Sequence, residues 1–432
     1  MPFFVPKLFP SQRHLTNLSV MKFKKHQELA WRLLGVVFFG VLFVGGRAED
    51  GWTTGLDLTV ESSAGLSGGV RSGQALHGLA LVHADWKQPD THAEGLNYTG
   101  YVSALALAGK GPSECFVGDF LAVSNTEGYP SARLYSWWLE ASLRDWSLRG
   151  GVLLADEEFS GTEAGGNFFN SAFGWPVFIS ANTVNTGPAF YVAAPGIRLE
   201  RKWGEAAAWR IGVYDGDTFD SSAGDPAVNR HGLHYQLGGD QGWFVITEAE
   251  FASGNKATLF KLGTWLHTAG FADMRDDADG QPFAISGHEP RRHNFNFGSY
   301  AAIEHTLAGE SGKAGDIEVF FRAGFSPSDR NAVGWAIDAG LGWTGPIPGR
   351  PADVVALGIA HAEFSSRFSA NAHLADLASP APDFEQVIEV SYAIKLSERF
   401  KLQPDIQFIR HPGGSTAQRD TCVFLLRLNA CY

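Results

Sequence analysis

The sequence predicts an all-β fold: a transmembrane antiparallel β-barrel of about 16 strands, with long extracellular loops and an inward-folded constriction loop. Three observations carry that expectation. The chain opens on a secretion-type leader, alternates apolar and polar residues almost to its end, and finishes on an aromatic inside an alternating stretch. Composition agrees: Gly 51 and 13% aromatics with 19% charged residues suit strands and turns better than helices. Lys+Arg 34 against Asp+Glu 46 gives a net charge of −12, which argues against a nucleic-acid partner. Cys 3 is too few for a disulfide framework and shows no zinc spacing, so no metal or cofactor is expected.

The leader comes first. Leu33–Val44 (LLGVVFFGVLFV) is an apolar run of 12 residues, shorter than the roughly 20 a membrane helix needs. Lys22, Lys24, Lys25 and Arg32 precede it, and Gly46 and Ala48 follow at small-residue positions. That order is a secretory signal over residues 21–48, with Met21 as its natural start and residues 1–20 as an upstream extension. The mature segment, 49–432, then holds 27 basic and 45 acidic side chains, a net charge of −18. It reads as one domain.

The strands follow from side-chain alternation, which puts successive residues on opposite faces. Tyr135, Trp137, Leu139, Ala141 and Leu143 form one wall, and Ser136, Trp138, Glu140 and Ser142 the other. Arg144-Asp145 turns the chain, and Trp146, Leu148 and Val152 resume the apolar wall opposite Ser147 and Arg149. The pattern recurs over Trp243–Phe251, Phe260–His267, Ile317–Phe325, Ile388–Leu396 and Leu402–Phe408. In the last stretch Cys422, Phe424, Leu426, Leu428, Ala430 and Tyr432 share a face opposite Thr421, Val423, Leu425, Arg427, Asn429 and Cys431.

Period alone fits a soluble sandwich as well as a barrel. Aromatics at strand ends favour the barrel, as do connections that alternate between very short and long polar stretches (about 157–185 and 273–294). Dividing the mature chain by about 24 residues per strand and connection gives about 16 strands. FFNSAFGWP, Phe168–Pro176, carries aromatics that would be costly on a free outer loop, so the 157–185 loop is expected to fold inward as the constriction.

Several stretches resemble the carbohydrate-selective porins of the OprB type. They include FLAVSNTEG (Phe120–Gly128), the Tyr135–Phe159 segment, FFNSAFGWP and APGIRLE (Ala194–Glu200). Val213–Phe271, FRAGFSPSDRN (Phe321–Asn331), Gly340–Ala360 and the C-terminal EVSYAIKL…LQPDIQFIRHPGG continue the resemblance in order. It implies a 16-stranded barrel in the outer membrane of a Gram-negative-type bacterium, admitting sugars such as glucose by diffusion. The charged loop at about 273–292 and the cysteines Cys422 and Cys431 depart from the family's pattern.

A sugar needs aromatic faces for its CH surfaces and charged or amide groups for its hydroxyls, bound weakly enough to release. The polar strand faces supply both. Trp138 and Trp265 are the aromatic candidates; Glu140, Glu248, Glu250, Glu318 and Glu389 the acceptors; Arg149, Lys261, Arg322, Lys395 and Arg427 the donors. Gln403, Asp405, Gln407 and Asn429 complete the channel-lining set. Each could equally brace the wall without touching solute.

Two other function classes stay open. A barrel enzyme, glycosidase- or lipase-like, would use a carboxylate pair, and Glu248 and Glu250 lie roughly 7 Å apart on one strand face. No GxSxG elbow supports a serine hydrolase. A secreted soluble sugar-binding β protein would need polar outer faces. His231 and His234 read as loop polarity rather than metal ligands. Expected partners are sugar solutes, outer-membrane lipid and the barrel-assembly machinery, read through the C-terminal strand; homo-oligomers fit the pattern. The excess negative charge would favour cations if it lined the constriction.

Overall fold

The computed structural model describes residues 51–89 and 95–432. The signal and upstream extension lie outside the described residues. Sixteen strands close on themselves, antiparallel throughout. The first nine are β1 (Trp52–Ser67), β2 (Gln74–Lys87), β3 (Leu96–Gly109), β4 (Ala132–Leu143), β5 (Trp146–Leu153), β6 (Ala194–Trp203), β7 (Ala207–Asp215), β8 (Trp243–Ala252) and β9 (Thr258–His267). A separate hairpin, β10 (Phe271–Asp277) and β11 (Pro290–His293), interrupts the wall. The wall resumes with β12 (Asn296–Ala308), β13 (Ile317–Phe325), β14 (Val333–Thr344), β15 (Val354–Phe364), β16 (Phe384–Lys395), β17 (Phe400–Arg410) and β18 (Thr421–Cys431). β18 pairs β1, from Asp57 opposite Cys431 to Ser67 opposite Cys422, and so closes the barrel.

The two ends differ. One carries short turns at 144–145, 204–206, 253–257 and 396–399. The other carries the loops 110–131, 154–193, 216–242, 268–295 and 365–383. This asymmetry places the long-loop end outside the cell. The tightest turn puts Arg144 at φ +54°, the left-handed conformation that a two-residue hairpin demands.

Burial is inverted relative to a soluble protein. Outward residues such as Leu139, Leu148, Ile197 and Leu262 are at least half exposed, while the packed core lies inside the barrel. Trp146, Trp203, Trp343 and Phe400 ring the short-turn end; Trp137, Trp243, Trp335 and Phe408 ring the other. Such girdles sit at the edges of a bilayer's apolar layer. Among the described residues no helix is long and apolar enough to cross a membrane.

Tyr135 departs from the expected outer wall. It is buried and packs against Phe190 of the 154–193 loop, ring centroids 6.5 Å apart. The cause is a bulge: Val102 pairs Trp137 but Ala104 pairs Leu134, so Tyr135 and Ser136 together face Ser103. One extra residue shifts the alternation upstream of it.

Candidate functional site: a charged wall facing an inward loop

The lumen wall of β4–β9 and β12 carries a ladder of acidic and basic side chains set by strand register. Glu140 sits opposite Arg149, Arg149 opposite Arg198, Glu200 opposite Arg210, and Glu250 opposite Lys261. Cross-strand neighbours on one face come within side-chain reach, so opposite signs lock together. Arg149 Nε donates to Glu140 at 2.9 Å and Arg198 Nη2 to the same carboxylate at 2.6 Å. Arg210 Nε donates to Glu200 at 2.7 Å and its Nη1 to Glu250 at 2.6 Å. Lys261 pairs Glu304 of β12 at 2.7 Å.

The 154–193 loop faces this ladder. Glu158 pairs both Arg149 and Arg198, and the Lys261 ammonium donates to the Gly161 carbonyl at 2.7 Å. Between loop and wall lies a cavity of about 550 Å³. Its acidic lining is Glu140, Glu157, Glu158, Glu163, Glu200 and Glu250; its basic lining is Arg149, Arg198, Lys202, Arg210 and Lys261. Glu157 is exposed to this cavity. Beside the ladder runs an aromatic stair across β2–β4. His83 stacks on Tyr101 at 6.0 Å and Tyr101 on Trp138 at 5.6 Å. The Arg149 guanidinium caps Trp138 at 3.8 Å.

Other lumen side chains hold the loops in place. Arg322 is fully buried; it pairs Asp338 at 3.0 Å and donates to the carbonyls of Ser160, Ala172 and Gly174. Glu389 accepts the N–H groups of Phe169 and Asn170. Glu248 accepts Ser160 N–H at 2.8 Å and the Tyr300 hydroxyl at 2.7 Å. Gln403 donates to the Asn167 carbonyl at 2.9 Å. Phe168, Phe169, Phe173 and Phe178 fill the lumen beneath these bonds. The 110–131 loop is anchored likewise: Glu385 accepts Phe120 and Leu121 N–H groups, and Gln407 donates to the Val123 carbonyl. Arg427 binds Glu61 and Asn125 and lies 3.8 Å over the Phe169 ring.

The sequence-derived candidates therefore separate by place. Glu140, Arg149, Glu250 and Lys261 meet around the cavity, and Trp138 lies beneath the Arg149 guanidinium beside it. Glu248, Arg322, Glu389, Gln403, Gln407 and Arg427 bind loop backbone, loop side chains or each other's supports. Asp405 accepts from Gln407 at 3.3 Å, and Trp265 is buried against Phe244. Glu318, Lys395 and Asn429 lie toward the short-turn end, bound to Ser311, Glu398 and Thr59. His231 bonds the Ala132 carbonyl and His234 the Asp220 carboxylate, both loop contacts.

Sequence reasoning missed Arg198, Glu200 and Arg210. Their signal was present: Ile197 and Leu199 alternate with Arg198 and Glu200, and Trp209, Ile211 and Val213 flank Arg210. It also missed Glu157, Glu158 and Glu163, whose irregular loop has no period to read.

Residues 97–431 match the model of the carbohydrate-selective porin, OprB family. The chain belongs to that family. Its place is the outer membrane of Gram-negative bacteria. Among curated relatives of this OprB-family chain, Porin B of Pseudomonas aeruginosa is 25% identical over 167 residues. That stretch is 36% of this chain and only 37% of the relative's length. Among solved structures, the high-pH structure of Pseudomonas putida OprB superposes with a TM-score of 0.80 at 18% identity. It covers 89% of this chain and 95% of that one. DcaP, an outer-membrane channel of Acinetobacter baumannii, gives 0.53 at 11% identity, covering 90% and 100%. At these identities the likeness is one of fold.

Proposed function

We propose that this OprB-family barrel passes small neutral sugars by diffusion through the cavity between the 154–193 loop and the β4–β9 wall. The observation that carries this reading is the fully paired charge ladder beside an aromatic stair. Nearly every charge around the cavity already has a partner, so the site offers hydrogen bonds without an open ionic well. A hydroxyl can share these groups and leave again, as conduction requires. The cavity measures about 550 Å³. That is room for a monosaccharide with part of its hydration.

Trp138, Glu140, Arg149, Glu250 and Lys261 are the sugar-contacting set in this reading, joined by Arg198, Glu200 and Arg210. Glu248, Arg322, Glu389, Gln403, Asp405, Gln407 and Arg427 keep the constriction in shape.

In this reading the protein acts as a channel. Glu248 is closed off beneath the loop and Glu250 is clamped by Arg210, so neither is a free carboxylate for glycoside hydrolysis. β18 with terminal Tyr432 is the segment the barrel-assembly machinery reads, and any homo-oligomer would pack through the outer apolar wall.

The test is single-channel conductance in a planar bilayer with glucose titrated in. Stable openings partly blocked by sugar support the reading. Openings indifferent to glucose, with a wild-type-like response in Trp138→Ala and Glu140→Gln, would remove the sugar assignment and leave the barrel.

A further inference from the structure

One cluster has no part in passage through the lumen. It lies on the lipid-facing wall at the long-loop end of β14–β17. Trp335, His361, Phe384 and Arg410 point outward there from successive strands. His361 stacks between Trp335 and Phe384, 5.0 Å from each. The Arg410 guanidinium lies 5.5 Å from the Phe384 centroid, and the His411 ring lies 4.4 Å from it. Three nitrogen-bearing side chains thus surround one ring.

The nearby carboxylates are engaged: Glu363 faces His361 at 3.3 Å, and Asp383 faces His411 at 2.9 Å. Arg410 is exposed and, among the described residues, has no carboxylate partner. It reaches only the Gln386 amide oxygen, at 3.4 Å. A guanidinium left this way at a membrane's polar edge matches the geometry of a phosphate, which it can grip with two parallel bonds. Aromatic side chains at that depth anchor to lipid headgroups. Below the cluster, toward the bilayer centre, the wall continues with exposed Ile337, Ile359, Ile388 and Phe408. That surface suits acyl chains.

We propose that this patch binds the phosphate of an outer-leaflet lipid. Arg410 holds the anion, Trp335 and Phe384 support the headgroup, and the isoleucines beneath receive the acyl chains. The apolar continuation is what favours lipid over free phosphate.

Native mass spectrometry of the folded, detergent-solubilised barrel counts retained lipid. The probes are bisphosphorylated lipid A and the same lipid dephosphorylated, with inorganic phosphate as competitor. The wild type should retain the phosphorylated lipid. Arg410→Gln should retain about fivefold less, the scale of one basic residue at a charged membrane surface. Arg410→Lys should fall between, keeping charge but not the two-pronged grip. Dephosphorylated lipid A should bind the wild type no better than phosphorylated lipid binds Arg410→Gln. Unchanged glucose block shows that the variants are folded. Equal retention by the wild type and Arg410→Gln overturns the proposal, as does equal retention of the dephosphorylated lipid. Full displacement by inorganic phosphate at the lipid's own concentration would assign the anion site to free phosphate and overturn the lipid. Should Arg410→Gln fail to fold, the lysine variant and the dephosphorylated lipid decide the matter.

Discussion

Replacing Arg322 by Met tests whether the wall fixes the constriction. Arg322 has no exposed surface. Met keeps the apolar stem but removes the ion pair to Asp338 at 3.0 Å and three donations to loop carbonyls. Breaking one side of a buried pair costs about 3–5 kcal/mol, because the remaining charge is stranded. Against this, Phe168, Phe169, Phe173 and Phe178 stay buried. At about 1.5–3 kcal/mol for each large side chain, they contribute roughly 6–12 kcal/mol together. The comparison decides the phenotype. The loop should stay docked in most molecules and open often, rather than leave the lumen. Single-channel records of Arg322→Met should show noisy, intermittently larger conductance. The 154–193 loop should be cleaved faster by added protease, while the barrel's strand ladders and heat-resistant gel mobility persist. Combining Arg322→Met with Asp338→Leu removes the stranded charge and should recover much of the quiet conductance. If Arg322→Met conducts as quietly as the wild type and resists protease equally, the wall does not hold the loop as described.

Further outcomes follow from the geometry. Trp138→Ala should weaken glucose block about two- to fivefold, since the ring holds the Arg149 guanidinium in place by a cation–π contact worth about 0.5–1 kcal/mol; titrated current block measures it. Ion selectivity should be weak despite the chain's negative charge, because the cavity's acids and bases nearly balance; reversal potentials showing strong cation preference would contradict this. Outside the barrel, burial would raise Asp273, but the Asp276 N–H and Arg367 hold it at about 2. The tie between the β10–β11 hairpin and helix Ser366–Ala375 should therefore hold at neutral pH, fade as pH falls from about 4 to 2, and be lost in Arg367→Ala, as hydrogen exchange of the hairpin would show.

The faces of β8, β9, β13, β16, β17 and β18 were legible from period two because lipid and lumen impose opposite chemistry on alternate residues. Tyr135 was misread because a bulge opposite Ser103 is invisible in one strand's own sequence. The division between sugar-facing and loop-holding residues was not legible either. Glu248 and Glu250 are two apart on one face, yet one lies beneath the loop and the other borders the cavity. Only the path of the 154–193 loop separates them. The place of that loop was readable, because its phenylalanines need cover. Its acids were not, since they acquire meaning from Arg149 and Arg198, which lie across open space rather than along the chain.

The seam between β1 and β18 has a consequence for how the molecule is made. Thr59 and Asn429 share a hydrogen bond across 370 residues of chain, so closure is the most distant contact available. Until β18 arrives, β1 and β17 each present a row of unpaired amides, and in lipid each such group costs several kcal/mol. A partly made sheet is therefore unwelcome in the membrane and exposed to mispairing outside it. Insertion and closure must proceed together, with the whole chain already synthesised. The slowest step should be the meeting of its two ends.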